Sequence, residues 1–278
     1  MFNIRLFFAG FLACLSLFSQ ANEIEPVHYA YSNYLGSGIY RTTGQDVTLI
    51  NLPFSLMLKK KGAVTYSLRL PVSLGFFDFD FDDIPNLDLP DSVGTFSFTP
   101  GIQVNYQYTE NVVIESYLDL GYARNLTTNR NVLVYSGGIS SLYSFTVNKY
   151  DSIWASRLYY AGYDGHNYDA ADLYAAIQLG IETGLPVKYQ LFGHTYQPRV
   201  FATAFWYFTE VDFDLPIKPT NSALEQSKVV LSNSIEFGVT MKFDKAIGYS
   251  WGGIDTIGLS YRFSQNINVV RILFSFPI

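Results

Sequence analysis

Apolar and polar residues alternate along residues 64–76 of this chain. The even positions are all aliphatic or aromatic, and the odd positions are Thr65, Ser67, Arg69, Pro71, Ser73 and Gly75. A period of two places successive side chains on opposite faces of a β-strand. The segment therefore predicts a strand with one apolar face and one polar face.

The same alternation recurs in residues 96–108, 173–182 and 228–243. Turn-forming residues cluster between such segments, at 59–62, 81–94, 109–111, 125–130, 148–151, 164–169, 183–197, 215–227, 244–253 and 264–266. With a weaker strand at 32–41, the pattern predicts about 12 strands of about 10 to 16 residues. Strands of this length suit a tilted bilayer crossing of about 9 to 11 residues with extensions beyond it. No linker interrupts them, so residues 22–278 are predicted to form one domain.

The polar faces of the predicted strands carry charged residues, which need partners or water wherever they are buried. These residues are Arg69, Glu115, Asp119, Arg157, Glu182, Glu236, Lys242, Arg262 and Arg271. A barrel of about 12 strands is wider than the roughly eight-stranded kind that side chains fill, so it has room for a wet lumen. We therefore predict an all-β fold, a transmembrane antiparallel β-barrel. Its apolar face meets lipid, and the nine charged residues line the lumen.

Composition agrees with this fold, because aromatic residues make up 17% of the chain and charged residues only 15%. Aromatic residues near predicted strand ends are assigned to interface girdles: Phe76, Phe77, Phe79, Tyr106, Tyr108, Tyr122, Tyr159, Tyr160, Tyr163, Phe208 and Phe213. The formal charge of -6 and the absence of a basic stripe in the sequence argue against a nucleic-acid partner.

Both ends of the sequence indicate an outer-membrane location. Residues 1–21 have Arg5 before an apolar run and Ser-Gln-Ala before residue 22, which predicts a secretory signal peptide. The run continues past Cys14, which disfavours a lipoprotein anchor. Cys14 is the one cysteine of the sequence, so the processed chain is expected to have neither disulfides nor thiol chemistry.

The last residues form a single apolar row that ends the chain on a predicted strand. The row contains Val270, Ile272, Phe274, Phe276 and Ile278. Bacterial outer-membrane barrels end in this way, although Ile278 after Pro277 replaces their usual final aromatic residue. We therefore expect the partners to be outer-membrane lipid, lipopolysaccharide and, through the C-terminal strand, the barrel assembly machinery.

If the chain has 12 strands and both termini are periplasmic, the loops at 81–94 and 215–227 lie outside the cell. The short turns at 59–62, 109–111 and 148–151 are then periplasmic, as is usual for such barrels. The segments at 183–197 and 244–253 are long for periplasmic turns.

Three stretches of the chain resemble a known family. They are YSNYLGSGIYRTTGQDVTLINLPFSL near the start, IETGLPVKY, and QPRVFATAFWYF. The chain resembles the solitary outer-membrane autotransporter-like β-barrel family of marine Gram-negative bacteria, over nearly the whole region after the signal peptide. The resemblance implies a barrel like the 12-stranded translocator of autotransporters. With about a dozen residues before the first predicted strand, we expect neither a passenger nor a plugging helix. The family has no assigned reaction, so no functional residues are carried over.

The sequence offers no strong catalytic or metal-binding motif. His28, His166 and His194 are each isolated, and His166 is flanked by two acids, Asp164 and Asp169, as an omptin-like acid/base pair would need. A phospholipase-like site needs a histidine in a strand, and the pattern places none there. The acidic run at 78–91 lacks the glycine and glutamate of an EF-hand, which favours a solvated loop over weak binding of divalent ions. We predict no enzyme activity and no cofactor.

The inward charges leave two interpretations open. They either line a constriction that selects small solutes, or form a cross-lumen salt-bridge network that closes the pore and stiffens the barrel. The first hypothesis is therefore a passenger-less translocator-type barrel that acts as a narrow pore or a structural membrane component. The second is a surface receptor or adhesin that uses the loops at 81–94 and 215–227. A barrel hydrolase ranks third.

Overall fold

A computed structural model describes residues 38–41, 46–77, 94–126, 131–165, 171–191, 193–208, 211–215, 227–231, 233–247, 254–264 and 268–274. Strands dominate these ranges: β1 (Gly38–Arg41), β2 (Asp46–Lys61), β3 (Val64–Phe77), β4 (Thr95–Phe98), β5 (Gly101–Gln107), β6 (Val112–Asn125), β7 (Asn131–Val147), β8 (Tyr150–Asp164), β9 (Ala171–Gly184), β10 (Tyr189–Leu191), β11 (His194–Tyr207), β12 (Val211–Leu215), β13 (Ser227–Leu231), β14 (Ser234–Ile247), β15 (Ile254–Ser264) and β16 (Asn268–Leu273). None of the ranges contains a helix with the length and apolar character needed to cross a membrane.

Fourteen of these strands form one sheet. Thirteen of them follow the order β10-β11-β14-β15-β16-β1-β2-β3-β4-β6-β7-β8-β9, and the fourteenth, β5, pairs with β3 and β6. Each pairing in the sheet is antiparallel, and β9 also pairs with β11 along residues 199–207. The remaining strands, β12 and β13, pair with each other between β11 and β14 in the chain. The prediction of an all-β, antiparallel fold is thus confirmed.

Strands β4 and β5 occupy the same place in the sheet, because both pair with β3 on one side and β6 on the other. Thr99 and Pro100 separate them. Pro100 has no N–H to donate to the ladder, but its carbonyl still accepts a hydrogen bond of 2.9 Å from the Leu120 amide. The two short strands are therefore one interrupted strand.

The two faces of the sheet differ sharply in burial. Large apolar side chains on one face are exposed, among them Ile102, Leu118, Ile139, Val239 and Leu259. The other face is buried, although it includes Ser73, Ser97, Asp119, Gln178, Glu182, Arg199, Thr240 and Arg262. We call these the exposed face and the buried face. In β3 the odd-numbered side chains, including Arg69 and Ser73, lie on the buried face. Ser73 pairs with buried Ser97, and Arg69 pairs with Gly101, which in turn pairs with buried Asp119; paired residues share a face.

Tight turns mark one end of the sheet, which we call the turn end. Strands β2 and β3 are joined there by residues 62–63, with Gly62 at φ 58°, and β7 and β8 by residues 148–149, with Asn148 at φ 57°. Glycine and asparagine are the residues that best tolerate this left-handed conformation. The connections after β5 and β9 begin at the same end, and β14 ends and β15 begins there, because successive strands are antiparallel.

The predicted turn at 183–197 is too long. Strand β9 continues to Gly184, β11 begins at His194, and β10 pairs with residues 194–196 inside the segment. The expectation that no histidine lies in a strand is therefore wrong for His194. The predicted turn at 244–253 is likewise shorter, because β14 continues to Ile247.

The girdle assignment is wrong for Tyr159 and Tyr163. Both side chains are on the buried face, where Tyr159 packs edge-on against Tyr174 with ring centroids 6.0 Å apart. Tyr106, Tyr108, Tyr122 and Phe208 are exposed, as predicted. The side chains of Phe76, Phe77 and Phe213, and the whole of Phe79, lie outside the described part of the structure.

Candidate functional site

Each of the nine charged residues predicted to line the lumen lies in the row of its strand that belongs to the buried face. Asp119, Glu182, Glu236 and Arg262 are buried, whereas Arg69, Glu115, Arg157 and Arg271 are partly buried. Lys242 is exposed at the turn end of its row, opposite Gln197 and Thr256. The structure gathers most of these residues into three clusters.

The first cluster centres on Arg69 of β3. Its Nε donates to Asp119 Oδ1 of β6 at 2.9 Å, and its Nη1 donates to Gln103 Oε1 of β5 at 3.0 Å. The guanidinium also lies over the Tyr117 ring, 4.3 Å from the centroid, a favourable cation–π geometry. The Arg69 side chain keeps 27% of its surface exposed, while that of Asp119 keeps 0%.

Gly101 makes the contact between Arg69 and Asp119 possible. It lies between them in the register, opposite Arg69 on β3 and Asp119 on β6. A Cβ at Gly101 would be 2.0 Å from Asp119 Oδ1 and 2.3 Å from the Leu118 carbonyl oxygen. Any side chain here would therefore separate the ion pair or displace the backbone of β6.

Arg157 and Glu115 lie beside this first cluster. Arg157 Nε donates to Ser140 Oγ at 2.9 Å, and Ser140 lies opposite both Arg157 and Glu115 in the register. Both charged side chains are partly solvent-accessible. Together with Arg69 they place two cations and one carboxylate on the accessible part of the buried face.

The second cluster joins β8, β9, β11 and β14. Arg199 Nε donates to Glu182 Oε2 at 2.8 Å, and its Nη1 pairs with Asp151. The other carboxylate oxygen of Glu182 accepts a hydrogen bond of 2.8 Å from Thr240 Oγ1. The side chains of Arg199 and Glu182 are only 2% and 1% exposed. This ion pair is therefore dry, and its remaining polar atoms are largely satisfied by neighbours.

The third cluster joins β14, β15 and β16. Arg271 Nη1 donates to Glu236 Oε2 at 2.6 Å, and Ser260 Oγ donates to the other Glu236 oxygen. Arg262 lies beside them, with its Nε on Ser234 Oγ at 2.8 Å, its Nη2 on the Tyr207 hydroxyl at 2.6 Å, and its plane over the Phe205 ring at 3.7 Å. A planar guanidinium can make these three contacts at once.

The ion pairs among the described residues run along the sheet. Arg199 and Glu182 are on adjacent strands, and Arg69–Asp119, Arg199–Asp151 and Arg271–Glu236 each span one intervening strand. The alternative of a cross-lumen network is therefore wrong for these pairs. Each arginine is held against the sheet that carries it.

Two members of the second cluster were missed by the sequence analysis. Asp151 is the last residue of the predicted turn at 148–151, and Arg199 lies two residues beyond the predicted turn at 183–197; neither was placed on a strand face. The available signal was Gly184, which lies opposite Arg199. A Cβ there would be 2.5 Å from Asp151 Oδ1 and 2.7 Å from Arg199 Nη1. A glycine on the polar row thus marks the close approach of charged neighbours, as Gly101 does in the first cluster.

The residues tested for catalysis are not assembled into a site in the described part of the chain. His194 contacts Phe243, with ring centroids 6.3 Å apart. His28, His166 and Asp169 and the acidic run at 78–91 lie outside the described residues. Within the described ranges, no group of three or more histidine, cysteine, aspartate or glutamate side chains is positioned to hold a metal ion. Comparison with protein-family models and with curated protein sequences finds no match to this chain.

Proposed function

We propose that the large sheet closes into a transmembrane barrel of the outer membrane that acts as a narrow polar pore. Fourteen strands take part. Strands β4 and β5 occupy one strand position in the sheet. Strands β9 and β10 pair with the same edge of β11, because Tyr196 pairs with Tyr189 of β10 on that side and with Phe243 of β14 on the other. Counting each shared position once reduces the fourteen strands to twelve strand positions. The pairing of β9 with β11 joins the last position to the first.

The observation that carries this proposal is the inversion of the usual burial pattern. The buried face holds arginines, carboxylates and hydroxyls beside apolar residues such as Val132 and Phe201, while many leucines, isoleucines and valines are exposed on the other face. In water, an exposed apolar surface of this extent is unfavourable. In a bilayer it is the expected outer surface of a barrel, whose closure also satisfies the backbone.

Aromatic residues on the exposed face support the same orientation. Near the turn end, Tyr143 pairs with Trp154, and Tyr106 and Tyr150 are also exposed. Near the opposite end, Tyr122, Trp206, Phe208 and Phe263 are exposed. Aliphatic residues such as Leu118 and Ile139 lie between the two groups. This order fits two interfacial belts around a hydrocarbon band.

Unequal exposure along the buried face supports a passage on one side. From β9 to β15, the buried charged side chains and rings include Glu182, Arg199, Glu236, Arg262, Phe201, Phe205 and Tyr207. From β3 to β8, the charged side chains of Arg69, Glu115 and Arg157 are partly exposed. We propose that solutes pass along the β3–β8 wall, and that the opposite wall is a rigid, dry support.

The proposal assigns no catalytic role and no cofactor to the chain. A purely structural membrane component is the outcome if the passage does not conduct. The receptor hypothesis depends on the loops at 81–94 and 215–227, most of which lie outside the described residues. No contact of the described residues favours it over a pore.

Neutralising the accessible charges should change ion selectivity in opposite directions. Arg157→Gln removes a cation from the passage, so we expect the anion-to-cation permeability ratio to fall about two- to fivefold, the range for one solvated unit charge at close range. Glu115→Gln removes a carboxylate from the same wall and should raise the ratio. The measurement is the reversal potential of refolded protein in planar bilayers under a salt gradient.

The control is Asp164→Asn, which removes a charge from the exposed face at the end of β8 and should leave the ratio unchanged. Equal responses in all three variants would place the charges outside the conducting path. No current from any correctly folded variant would exclude the pore and leave the structural role.

A further inference from the structure

Lysine residues are concentrated at the turn end of the sheet. Lys59, Lys60 and Lys61 are consecutive and exposed immediately before the turn at residues 62–63. Lys149, Lys188 and Lys245 are exposed in or beside three further connections at this end. These six lysines surround the turn end, and we call them the basic rim; a seventh exposed lysine at this end, Lys242, lies on the row of the buried face.

Carboxylates at the same end do not balance the basic rim. Exposed acids there are Glu110, Asp151, Asp244 and Asp255, but Asp151 is paired with Arg199, and Asp244 accepts a hydrogen bond of 3.2 Å from the Thr195 amide. The connecting segments at the opposite end, outside the described residues, contain nine acidic and two basic residues by sequence. Among the described residues, the turn end therefore has more exposed lysines than exposed carboxylates.

The basic rim is directly adjacent to the apolar exposed face. Lys59 lies opposite Tyr66 in the register, and Lys61 lies opposite Val64. Tyr66 is itself exposed, as is Tyr106 on the neighbouring strand β5. A tyrosine belt next to a ring of lysines is the arrangement that suits a membrane interface, where lysine stems cover apolar surface and the ammonium groups reach the headgroups.

We infer that the basic rim binds anionic phospholipid headgroups in the leaflet at the turn end. The inference rests on the proposed function, because it requires the exposed face to be in a bilayer. Ammonium groups attract phosphate that carries a net negative charge more strongly than zwitterionic headgroups, by up to about fivefold for each lysine close to the surface. The attraction acts within a Debye length, so salt weakens it. The rim would also fix the orientation of the barrel when the two leaflets differ in charge.

Fluorescence quenching by brominated lipid tests this inference locally. The reporter is Tyr66→Trp in a background with Trp154→Phe, Trp206→Phe and Trp251→Phe, and the control reporter keeps only Trp206, which is 66% exposed at the opposite end. Both proteins are refolded into phosphatidylcholine vesicles with about one fifth phosphatidylglycerol, and either lipid carries the bromine. We expect brominated phosphatidylglycerol to quench the Tyr66→Trp reporter about two- to fivefold more than its bulk fraction predicts.

The control reporter should show no such excess. Lys59→Gln, Lys60→Gln and Lys61→Gln together should abolish the excess at the Tyr66→Trp reporter, as should raising the salt to about 0.5 M, where the Debye length falls well below its low-salt value. An equal excess at both reporters, or an excess that survives the three substitutions, would overturn the basic rim. If brominated phosphatidylcholine quenches neither reporter, the protein is not inserted, and the proposed membrane barrel fails together with this inference.

Discussion

Replacing Leu118 by arginine should lower the free energy of unfolding in lipid vesicles by about 2–4 kcal/mol, the cost of an arginine on the lipid face at the bilayer midplane. Leu118 is 66% exposed and lies between the two aromatic belts. Hydrocarbon cannot solvate a guanidinium, so the side chain must draw water into the bilayer or distort the strand. Urea unfolding in vesicles, followed by tryptophan fluorescence, measures the difference.

The size of this effect distinguishes lipid from water around the exposed face. In a water-soluble protein, an exposed leucine replaced by arginine changes stability by about 0.5 kcal/mol or less. Leu118→Met is the matched control, because it keeps an apolar side chain of similar volume at the same depth. A Leu118→Arg variant as stable as Leu118→Met would contradict a lipid-facing exposed face.

Breaking the Arg199–Glu182 pair should destabilise the protein by about 3–5 kcal/mol, because it leaves an unpaired charge in a dry environment. Arg199→Met removes the cation and leaves the Glu182 carboxylate, 1% exposed, with Thr240 as its remaining hydrogen-bond donor among the contacts described above. The change should shift the urea midpoint without a change in slope, since the surface exposed on unfolding is nearly the same.

The double variant Arg199→Met/Glu182→Met provides the internal control. Removing both charges avoids the unpaired carboxylate, so the double variant should be clearly more stable than Arg199→Met alone. Asp151 tolerates the loss of Arg199, because its side chain is 51% exposed. If the two single changes add, the pair has no energetic coupling, and the second cluster is not the rigid support proposed for the dry wall.

Strand alternation predicts the two faces of the sheet well, because side chains of an extended strand alternate with a period of two whatever the two faces contact. The row of Arg69 and Ser73 and the row of Glu182 and Gln178 have the orientation that the sequence indicates. Alternation does not reveal which residues of a row touch. The partners of Arg69 and Glu236 depend on register between strands, which the sequence of one strand does not contain.

Proline misled the prediction near Arg199. Pro186 lies within the predicted turn at 183–197 and is typical of turns. Pro198 follows that predicted turn directly, yet it lies inside β11 opposite Met241. Its carbonyl accepts a hydrogen bond of 2.8 Å from the Leu185 amide, so the strand continues with one donor missing. The register on both sides of β11 outweighs the local preference of proline.

Buried tyrosines were missed for a different reason. A tyrosine suits either face of a strand, since it has an apolar ring and a polar end. On the buried face, Tyr159 lies opposite Ala176 and Tyr174 lies opposite Ala161. The alanines leave room for the rings, so large and small residues alternate across β8 and β9. Only the pairing of these two strands shows this complementarity.

Nitroxide accessibility along β6 tests most directly whether the exposed face meets lipid and the buried face meets water. The sequence has one cysteine, Cys14, in the predicted signal peptide, so single-cysteine variants of the processed chain can be labelled cleanly. A membrane barrel predicts that labels at Leu118→Cys and Leu120→Cys collide mainly with oxygen dissolved in the bilayer. Labels at Glu115→Cys and Tyr117→Cys should instead collide mainly with a water-soluble nickel complex. Preferential nickel collisions at Leu118→Cys and Leu120→Cys would show that water covers the apolar face and would contradict the membrane barrel.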